Sequence, residues 1–154
     1  QQMTSLKCSP DGRIIELTDA ELTAYPWIYI VEPGSLMFSD AEVAALRKFL
    51  LNGGFLMVDD FWGDSEWENF YREIRRVFPD REPQELPLDH PLYHSHYDIG
   101  RVDYTARTRE DFGALDSPTL DGVTLDGRLA VVYSRFDLGD GWERAFAGKG
   151  RFLP

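Results

Sequence analysis

The chain has 154 residues, of which 43% are hydrophobic and 14% aromatic, and this is enough apolar material for the core of one domain. Its 27 acidic residues outnumber its 16 basic residues, which gives a formal net charge of −11. This charge argues against nucleic acid and anionic lipid as partners, because both are bound through basic patches. A cationic partner or a metal ion would suit the acidic surface, and solubility alone also accounts for it.

Signals for a membrane segment or a disulfide are missing from the sequence. No apolar run approaches the roughly 20 residues that span a bilayer, and the N-terminus has no charged-then-apolar signal pattern. We therefore expect a soluble domain that does not insert into a membrane. Cys8 is the single cysteine, which excludes an internal disulfide and any multi-cysteine metal site. Nothing around Cys8 indicates an activated thiol, so we interpret it as an ordinary side chain.

The first predicted elements lie before residue 32. Residues 13–17 (RIIEL) predict a short strand, and 20–22 predict a brief helical turn. Residues 27–31 (WIYIV) form a β-rich apolar run without polar alternation. Such a run is typical of a strand that is buried on both faces.

A helix and a second strand follow. Ser39 and Glu42 form a capping box that begins the helix, and the Asn-Gly-Gly sequence at 52–54 ends it. Residues 55–58 (FLMV) form another continuous apolar strand. A β-loop-α-β unit of this kind favours a parallel strand pair with a right-handed crossover.

The second half of the chain has a different composition. Residues 65–78 predict a helix with apolar residues at helical spacing, which a proline ends. Residues 80–91 are rich in proline and charge and include a short predicted edge strand at 85–88. Residues 99–126 are polar and rich in turn signals, whereas 129–133 (LAVVY) predict a third buried strand.

Several loops and strand ends carry a specific family pattern. The sequence has YPWIY at 25–29, EPG at 32–34 and NGGFLMVDDFWG at 52–63, with further matches at 46–47, 86–93 and 137–143. Together these segments resemble a bacterial family of uncharacterised domains, domain of unknown function 4159. The resemblance covers about residues 13–145. We interpret residues 1–154 as a single domain, either whole or a fragment of a longer one, that is cytoplasmic or is exported after removal of a signal.

The resemblance implies a class I glutamine amidotransferase-like fold. This is a flavodoxin-like, three-layer α/β/α sandwich with a mainly parallel sheet. In such folds the strand that ends near Val58 carries a sharp nucleophile turn, with a cysteine or serine between glycines. This chain has DDFWG at 59–63 instead. Without the cysteine no thioester can form, so glutamine amidotransferase activity is not expected.

The predicted ligand site is the rim of the sheet, because open parallel sheets bind ligands beyond the carboxyl ends of their strands. Asp59 and Asp60 follow one strand end, and Glu32 and Gly34 follow another. Carboxylates there can hold a hard cation, act as a general base or accept hydrogen bonds, and Trp62 could wall the site. The structural alternative is that one aspartate caps the next helix and accepts backbone hydrogen bonds. We expect only one of the pair to face inward.

The histidines cluster as His90, His94 and His96, with Asp89 and Asp98 beside them. On an extended stretch His94 and His96 would point to one face and, with a rim aspartate, could ligate zinc or a similar metal. His90 is a candidate ligand contact and a candidate catalytic acid, although a structural hydrogen bond is favoured for it. We expect no cofactor and no metal, with an ion at these three histidines as the alternative.

Other chemical motifs are weak or missing. Asp137, Asp140 and Glu143 lie in a glycine-rich segment, which we interpret as a solvated turn because the EF-hand spacing is absent. No serine has a Gly-x-Ser-x-Gly setting, and the sequence has no glycine-rich phosphate loop.

Three functional hypotheses follow. The first is a non-catalytic domain that binds an unknown small molecule or protein at the rim through Glu32, Gly34, Asp59, Asp60, Trp62 and His90. The second is a metal- or carboxylate-assisted hydrolase or isomerase acting on a polar, carbohydrate-like substrate, with Asp59, Asp60 and His90 as catalytic candidates. The third is a scaffold without a pocket. Fold does not imply function, so the sequence leaves open whether the chain is an enzyme.

Overall fold

The computed structural model describes residues 7, 12–61, 63–102, 119–134 and 138. Within these residues the chain is an α/β protein, as predicted. The strands are β1 (Trp27–Val31), β2 (Phe55–Asp59), β3 (Gln84–Glu85), β4 (Asp121–Leu125) and β5 (Arg128–Tyr133). The α-helices are α1 (Asp40–Leu51) and α2 (Asp64–Val77), and short 3₁₀ helices span Leu22–Ala24, Pro33–Ser35 and Pro91–His94.

The predicted capping box begins α1. The Ser39 hydroxyl accepts from the amide of Glu42 at 3.3 Å, and the Glu42 carboxylate accepts from the amide of Ser39 at 2.8 Å. The Ser39 hydroxyl also donates to the Glu42 carboxylate at 2.7 Å, and this bond is the main cause that lowers the pKa of the Glu42 carboxyl, followed by the bond from the Ser39 amide. The helix ends at Leu51, and Gly53 adopts a left-handed backbone with a φ of 100°. Both ends of α1 therefore follow from local sequence.

The five strands form one mixed sheet in the order β1-β2-β5-β4-β3. The pairs β1–β2 and β2–β5 are parallel, whereas β4 is antiparallel to both β5 and β3. The predicted parallel β1–β2 pair is confirmed, but a mainly parallel sheet is not. The reason is the two-residue turn Asp126-Gly127, with φ values of 50° and 78°. A turn this short can join only antiparallel strands.

Three sequence-based predictions of strands require correction. Residues 13–17 form no strand, although Ile15 and Leu17 pack against the core. The edge strand predicted at 85–88 is β3 at Gln84–Glu85, because its pairing with β4 involves only those two residues. Strand β4 lies in a region that was predicted to be polar and turn-rich, and its pairing with β5 makes it a strand.

The two faces of the sheet carry different layers. On one face α1 and α2 share an apolar cluster with Leu56, Val58 and Tyr133. On the other face the irregular segment 86–102 packs Leu86, Leu92, Tyr93 and Val102 against strand residues such as Met57 and Val132. Among the described residues both α-helices thus cover the same face, so the predicted three-layer sandwich is not confirmed.

Two arginines stabilise helix ends by donating hydrogen bonds to the last carbonyl oxygens of each helix. Arg47 of α1 donates to the carbonyl oxygens of Val77 (2.6 Å) and Arg76 (2.7 Å) at the end of α2. Arg128 of β5 donates to Leu50 O at 2.6 Å, at the end of α1. Terminal helical carbonyls have no partner within the helix, so these bonds join the end of α2 to α1 and the end of α1 to the sheet. No helix in the described residues is long and apolar enough to cross a membrane.

Candidate functional site

The rim predicted from sequence exists at the carboxyl ends of β1 and β2. These strands are parallel neighbours in which Val31 pairs with Asp59, so their following loops begin side by side. The Glu32 amide donates to the carbonyl oxygen of Asp59 at 3.2 Å. The structure therefore brings Glu32, Asp59 and Asp60 together as expected from parallel pairing.

Both loops begin with an acidic residue in a left-handed backbone conformation. Glu32 has a φ of 51° and Asp60 a φ of 67°. Residues other than glycine rarely adopt this conformation, which costs about 1–3 kcal/mol and is found most often at functional sites. Glu32 is exposed and Asp60 half-buried, so both side chains can be reached from solvent.

Asp59 has a different position from its neighbour. Its side chain is fully buried, and its Oδ2 accepts from the Tyr29 hydroxyl at 2.9 Å. Its Oδ1 accepts from the Leu138 amide at 3.1 Å. Asp59 therefore connects β1, β2 and the chain beyond β5. This agrees with the expectation that one of the two aspartates faces inward.

The structural alternative for the aspartates, helix capping together with accepted backbone hydrogen bonds, holds in part. The N-cap of α2 is Gly63, which has a φ of 83° and provides no side-chain hydrogen bond, so neither aspartate occupies the N-cap position. The backbone hydrogen bond that Asp59 accepts comes instead from Leu138.

Gly34 lies in the 3₁₀ helix Pro33–Ser35 and packs against α2. A Cβ at Gly34 would overlap the carboxyl group of Glu66, so a side chain at this position would displace the flexible end of Glu66. The Asn69 side chain donates to Leu36 O at 2.7 Å and holds the same loop. Gly34 is thus a packing position, although its backbone lies beside the rim.

Sequence reasoning missed Tyr29, Glu66 and Asn69. A signal for the two helical residues was present: Glu66, Asn69 and Glu73 recur at helical spacing beside the apolar face of α2. Glu73 is buried and accepts from the Phe38 amide at 3.0 Å and from Arg76 at 2.6 Å. Tyr29 had no local signal, because its hydrogen-bond partner lies 30 residues away.

His90 and His94 form hydrogen bonds with backbone atoms of their own segment, 86–102. His90 Nδ1 accepts from the Leu92 amide at 3.2 Å and caps the 3₁₀ helix Pro91–His94. This is the structural hydrogen bond favoured for His90. His94 contacts Asp98 through Nδ1 and Leu88 O through Nε2 at 2.9 Å. The hydrogen bond to Asp98 is the main cause that raises the pKa of His94.

The histidines do not assemble a metal site within the part of the chain that is described. His96 is exposed, and its ring lies 4.4 Å from that of Tyr97. Both nitrogens of His94 already have oxygen partners. No group of three or more His, Cys, Asp and Glu side chains among these residues could hold a metal ion.

Some predicted residues lie outside the described residues. These are Cys8, Trp62 and the glycine-rich segment with Asp137, Asp140 and Glu143. Their roles stay predictions.

A polar concavity of about 500 Å³ lies at the opposite end of the sheet from the rim. It is formed by the chain after α2 and by the hairpin turn between β4 and β5. No sequence pattern indicated it. Its lining residues are Asp80, Arg81, Glu82, Gln84, Thr124, Asp126 and Gly127.

The family assignment follows from the match over almost the whole chain. The family described as Domain of unknown function (DUF4159) matches residues 1–150. No curated protein matches the chain. The match extends beyond the region around 13–145 on which the resemblance was first based. The chain therefore belongs to the DUF4159 family.

Proposed function

We propose that this domain binds a polar small molecule, without catalysis, at the rim formed by Glu32 and Asp60. The observation that carries the proposal is the pair of acidic, left-handed residues that follow two adjacent parallel strands. Two strained residues, one after each of two neighbouring strands, are best explained by a ligand that contacts them. Carboxylates only accept hydrogen bonds, so the ligand carries amine or hydroxyl donors. Such binding needs no cofactor.

Asp59 supports a positioning role in this proposal. A general base must reach the proton that it removes, and the Asp59 carboxylate is buried with both oxygens engaged by Tyr29 and Leu138. Its hydrogen bonds set where the Glu32 and Asp60 loops begin. Ligand contacts by Trp62 and His90 stay part of the proposal.

We also propose that the domain descends from an amidotransferase-like scaffold without its nucleophile. Support comes from the parallel strands β1, β2 and β5 and from the helix α1 that connects the first two. Asp59 and Asp60 stand where the nucleophile turn would be. A third layer of helices is likewise a proposal, because the described helices cover one face.

The proposal is tested by two-dimensional NMR with two probes, spermidine for amines and glucose for hydroxyl groups. We expect one of them to shift the amide signals of Glu32, Gly34 and Asp60 in a saturable way. Asp60→Asn should weaken that binding about tenfold, because asparagine tolerates the left-handed backbone but removes the charge. Asp126→Asn is the matched control, since Asp126 is also acidic and left-handed but lies at the far end of the sheet.

Three results would contradict the proposal. Equal weakening by Asp126→Asn would mean that only the overall charge matters. Unshifted rim amides with both probes would remove the support for a ligand with these donors. Stoichiometric metal in purified protein, lost in an Asp59→Asn/Asp60→Asn variant that stays folded, would favour the metal-assisted hydrolase or isomerase instead.

A further inference from the structure

Among the described strands, β1 lies at an edge of the sheet. It pairs with β2 over five residues, Trp27 to Val31, and no other described strand lies on its outer side. Pro26 precedes the strand and Pro33 follows it closely, so the outer edge offers a short stretch of backbone donors and acceptors. An open edge of this kind is a template for pairing with another extended chain.

The same strand carries an apolar strip on the face away from the helices. We call the strip the β1 strip, and it consists of Trp27, Tyr29 and Val31. Trp27 is 50% exposed and Val31 51% exposed, although both are large apolar residues. The Trp27 and Tyr29 rings stack with centroids 6.0 Å apart. Alternate residues of a strand share a face, so the strip is about 13 Å long.

The segment that covers this face does not extend over the β1 strip. Its apolar cluster takes in Phe55 and Met57 of the neighbouring strand β2 but no side chain of β1. Within the part of the chain that is described, the strip is thus continuous with a packed surface on the side of β2, and Trp27 and Val31 stay half exposed. Exposed apolar groups beside an open strand edge are typical of a docking surface.

Charge decides between the occupants of this surface. A second copy of the chain would bring another net charge of −11 to the same edge, which opposes self-association. Glu32, which is exposed, directly follows Val31 and adds a negative charge at the end of the strip. Both features favour a basic partner.

We propose that β1 binds an extended segment of another protein that alternates apolar residues with lysine or arginine. The segment adds a strand to the sheet at β1. Its apolar side chains lie on the face of the β1 strip and cover Trp27 and Val31, whereas its cationic side chains lie on the opposite face and complement the net charge of the chain. The inference does not rest on the rim ligand, because it uses the edge and the face of β1.

The test uses two synthetic heptapeptides of alternating residues, one of lysine and valine and one of glutamate and valine. We expect the lysine peptide to bind at least about tenfold more tightly, since only it complements the charge. Backbone amides of β1 should become protected from hydrogen exchange when it is bound. Trp27→Lys should weaken binding at least about tenfold, because it removes apolar contact area and adds charge repulsion.

Leu51→Lys is the matched control. Leu51 is 58% exposed at the end of α1, so the substitution adds the same charge at an exposed apolar position away from the strip. It should change binding about twofold or less, through the net charge alone. Val31→Lys serves as a second variant, with the same expected loss as Trp27→Lys. Circular dichroism checks that each variant is folded.

The opposite results would overturn the inference. Equal affinity for the two peptides would exclude charge complementarity, and equal losses from Leu51→Lys and Trp27→Lys would exclude the β1 strip. Concentration-dependent dimers in analytical ultracentrifugation, with β1 amides protected in the dimer, would make a second copy the occupant. If Trp27→Lys still binds the rim ligand, a loss of peptide binding in this variant counts for or against the β1 surface alone and not for the proposed function.

Discussion

On one face of the sheet, α1 and α2 bury a continuous apolar cluster, whereas on the other face an irregular segment covers β2 and β5 and leaves the β1 strip half exposed. The first face is held by close packing. The second has a smaller apolar cluster to which individual hydrogen bonds are added, such as the one that Tyr93 accepts from the Leu120 amide at 2.8 Å. The difference indicates that stability resides mainly on the helical face, while the other face retains surface for partners.

The same contrast applies to the two ends of the sheet. At the amino end of β5, Arg128 donates to Leu50 O and closes α1 against the sheet. At the carboxyl ends of β1 and β2, buried Asp59 accepts two hydrogen bonds, and Glu32 and Asp60 adopt left-handed backbones. At the first end the one left-handed acidic residue among those described, Asp126, belongs to a hairpin turn that calls for this conformation, whereas the other end holds two such residues outside a hairpin turn. This is why the rim is preferred as the ligand site.

The largest expected effect comes from the same truncation made on each face. Leu56→Ala removes a fully buried side chain between the sheet and both helices, and it should lower the free energy of unfolding by about 3–5 kcal/mol. Leu86→Ala removes a buried side chain of the irregular segment itself. This segment can partly collapse into the space, so we expect the free energy of unfolding to fall by about 2–3 kcal/mol. Urea denaturation measures both. An equal or larger loss from Leu86→Ala would break the proposed difference between the faces.

A smaller effect is expected from the hydrogen bond that holds the irregular segment. Tyr93→Phe leaves the partly buried Leu120 amide without its acceptor and should cost about 1–2 kcal/mol. The control is Tyr97→Phe, since Tyr97 is 61% exposed. Burial is the main cause that raises the pKa of Tyr93, so the phenol is neutral near pH 7 and can keep this bond. Identical unfolding curves for the two variants would show that the bond adds nothing.

The smallest effect should appear as a pH dependence of the second face. The pKa of His94 is raised in the folded chain, first by its hydrogen bond to Asp98, then by Leu88 O and by the nearby charges of Asp98 and Asp89. A raised pKa means that the contribution is complete below the unfolded value of about 6.5. It is lost as the pH rises through the folded value.

The measurement compares the melting temperature of the wild type with that of His94→Gln between pH 5.5 and 8.5. We expect a difference that is largest at pH 5.5 and shrinks toward pH 8.5. His96→Gln is the control, because His96 is exposed and has no carboxylate contact among its described interactions. A difference that grows with pH would contradict the assigned sign.

Much of the fold could be predicted because its signals are local. Ser39 and Glu42 of the capping box lie three positions apart, and β1, β2 and β5 can each be recognised from a continuous apolar run. Strand β4 could not be recognised in this way, since it contains Gly122 at a position where a Cβ would meet Leu129 and Val131 O. That glycine indicates a turn in isolation and a close strand contact in the sheet. The Asp126-Gly127 turn was visible, but its use in a hairpin was not.

The candidate site was predictable to a similar extent. Parallel pairing of two apolar strands already implies that Glu32, Asp59 and Asp60 share a rim. The sequence did not indicate that Asp59 is the buried aspartate, because two adjacent aspartates give no local signal that distinguishes the inward-facing one. The metal alternative at the histidines depended on their direction, and in the structure His90 and His94 bond to their own segment.

By itself the sequence determined the elements whose signals lie within a few residues: the helix boundaries, the apolar strands and the acidic loops at their ends. Only the tertiary structure decided the mixed sheet, the position of β1 at the edge of the described strands and the hydrogen bonds of Asp59. The physical reason is distance along the chain. The partners of Asp59 are Tyr29 and Leu138, 30 and 79 residues away, and a hydrogen bond between such groups depends on how whole elements pack.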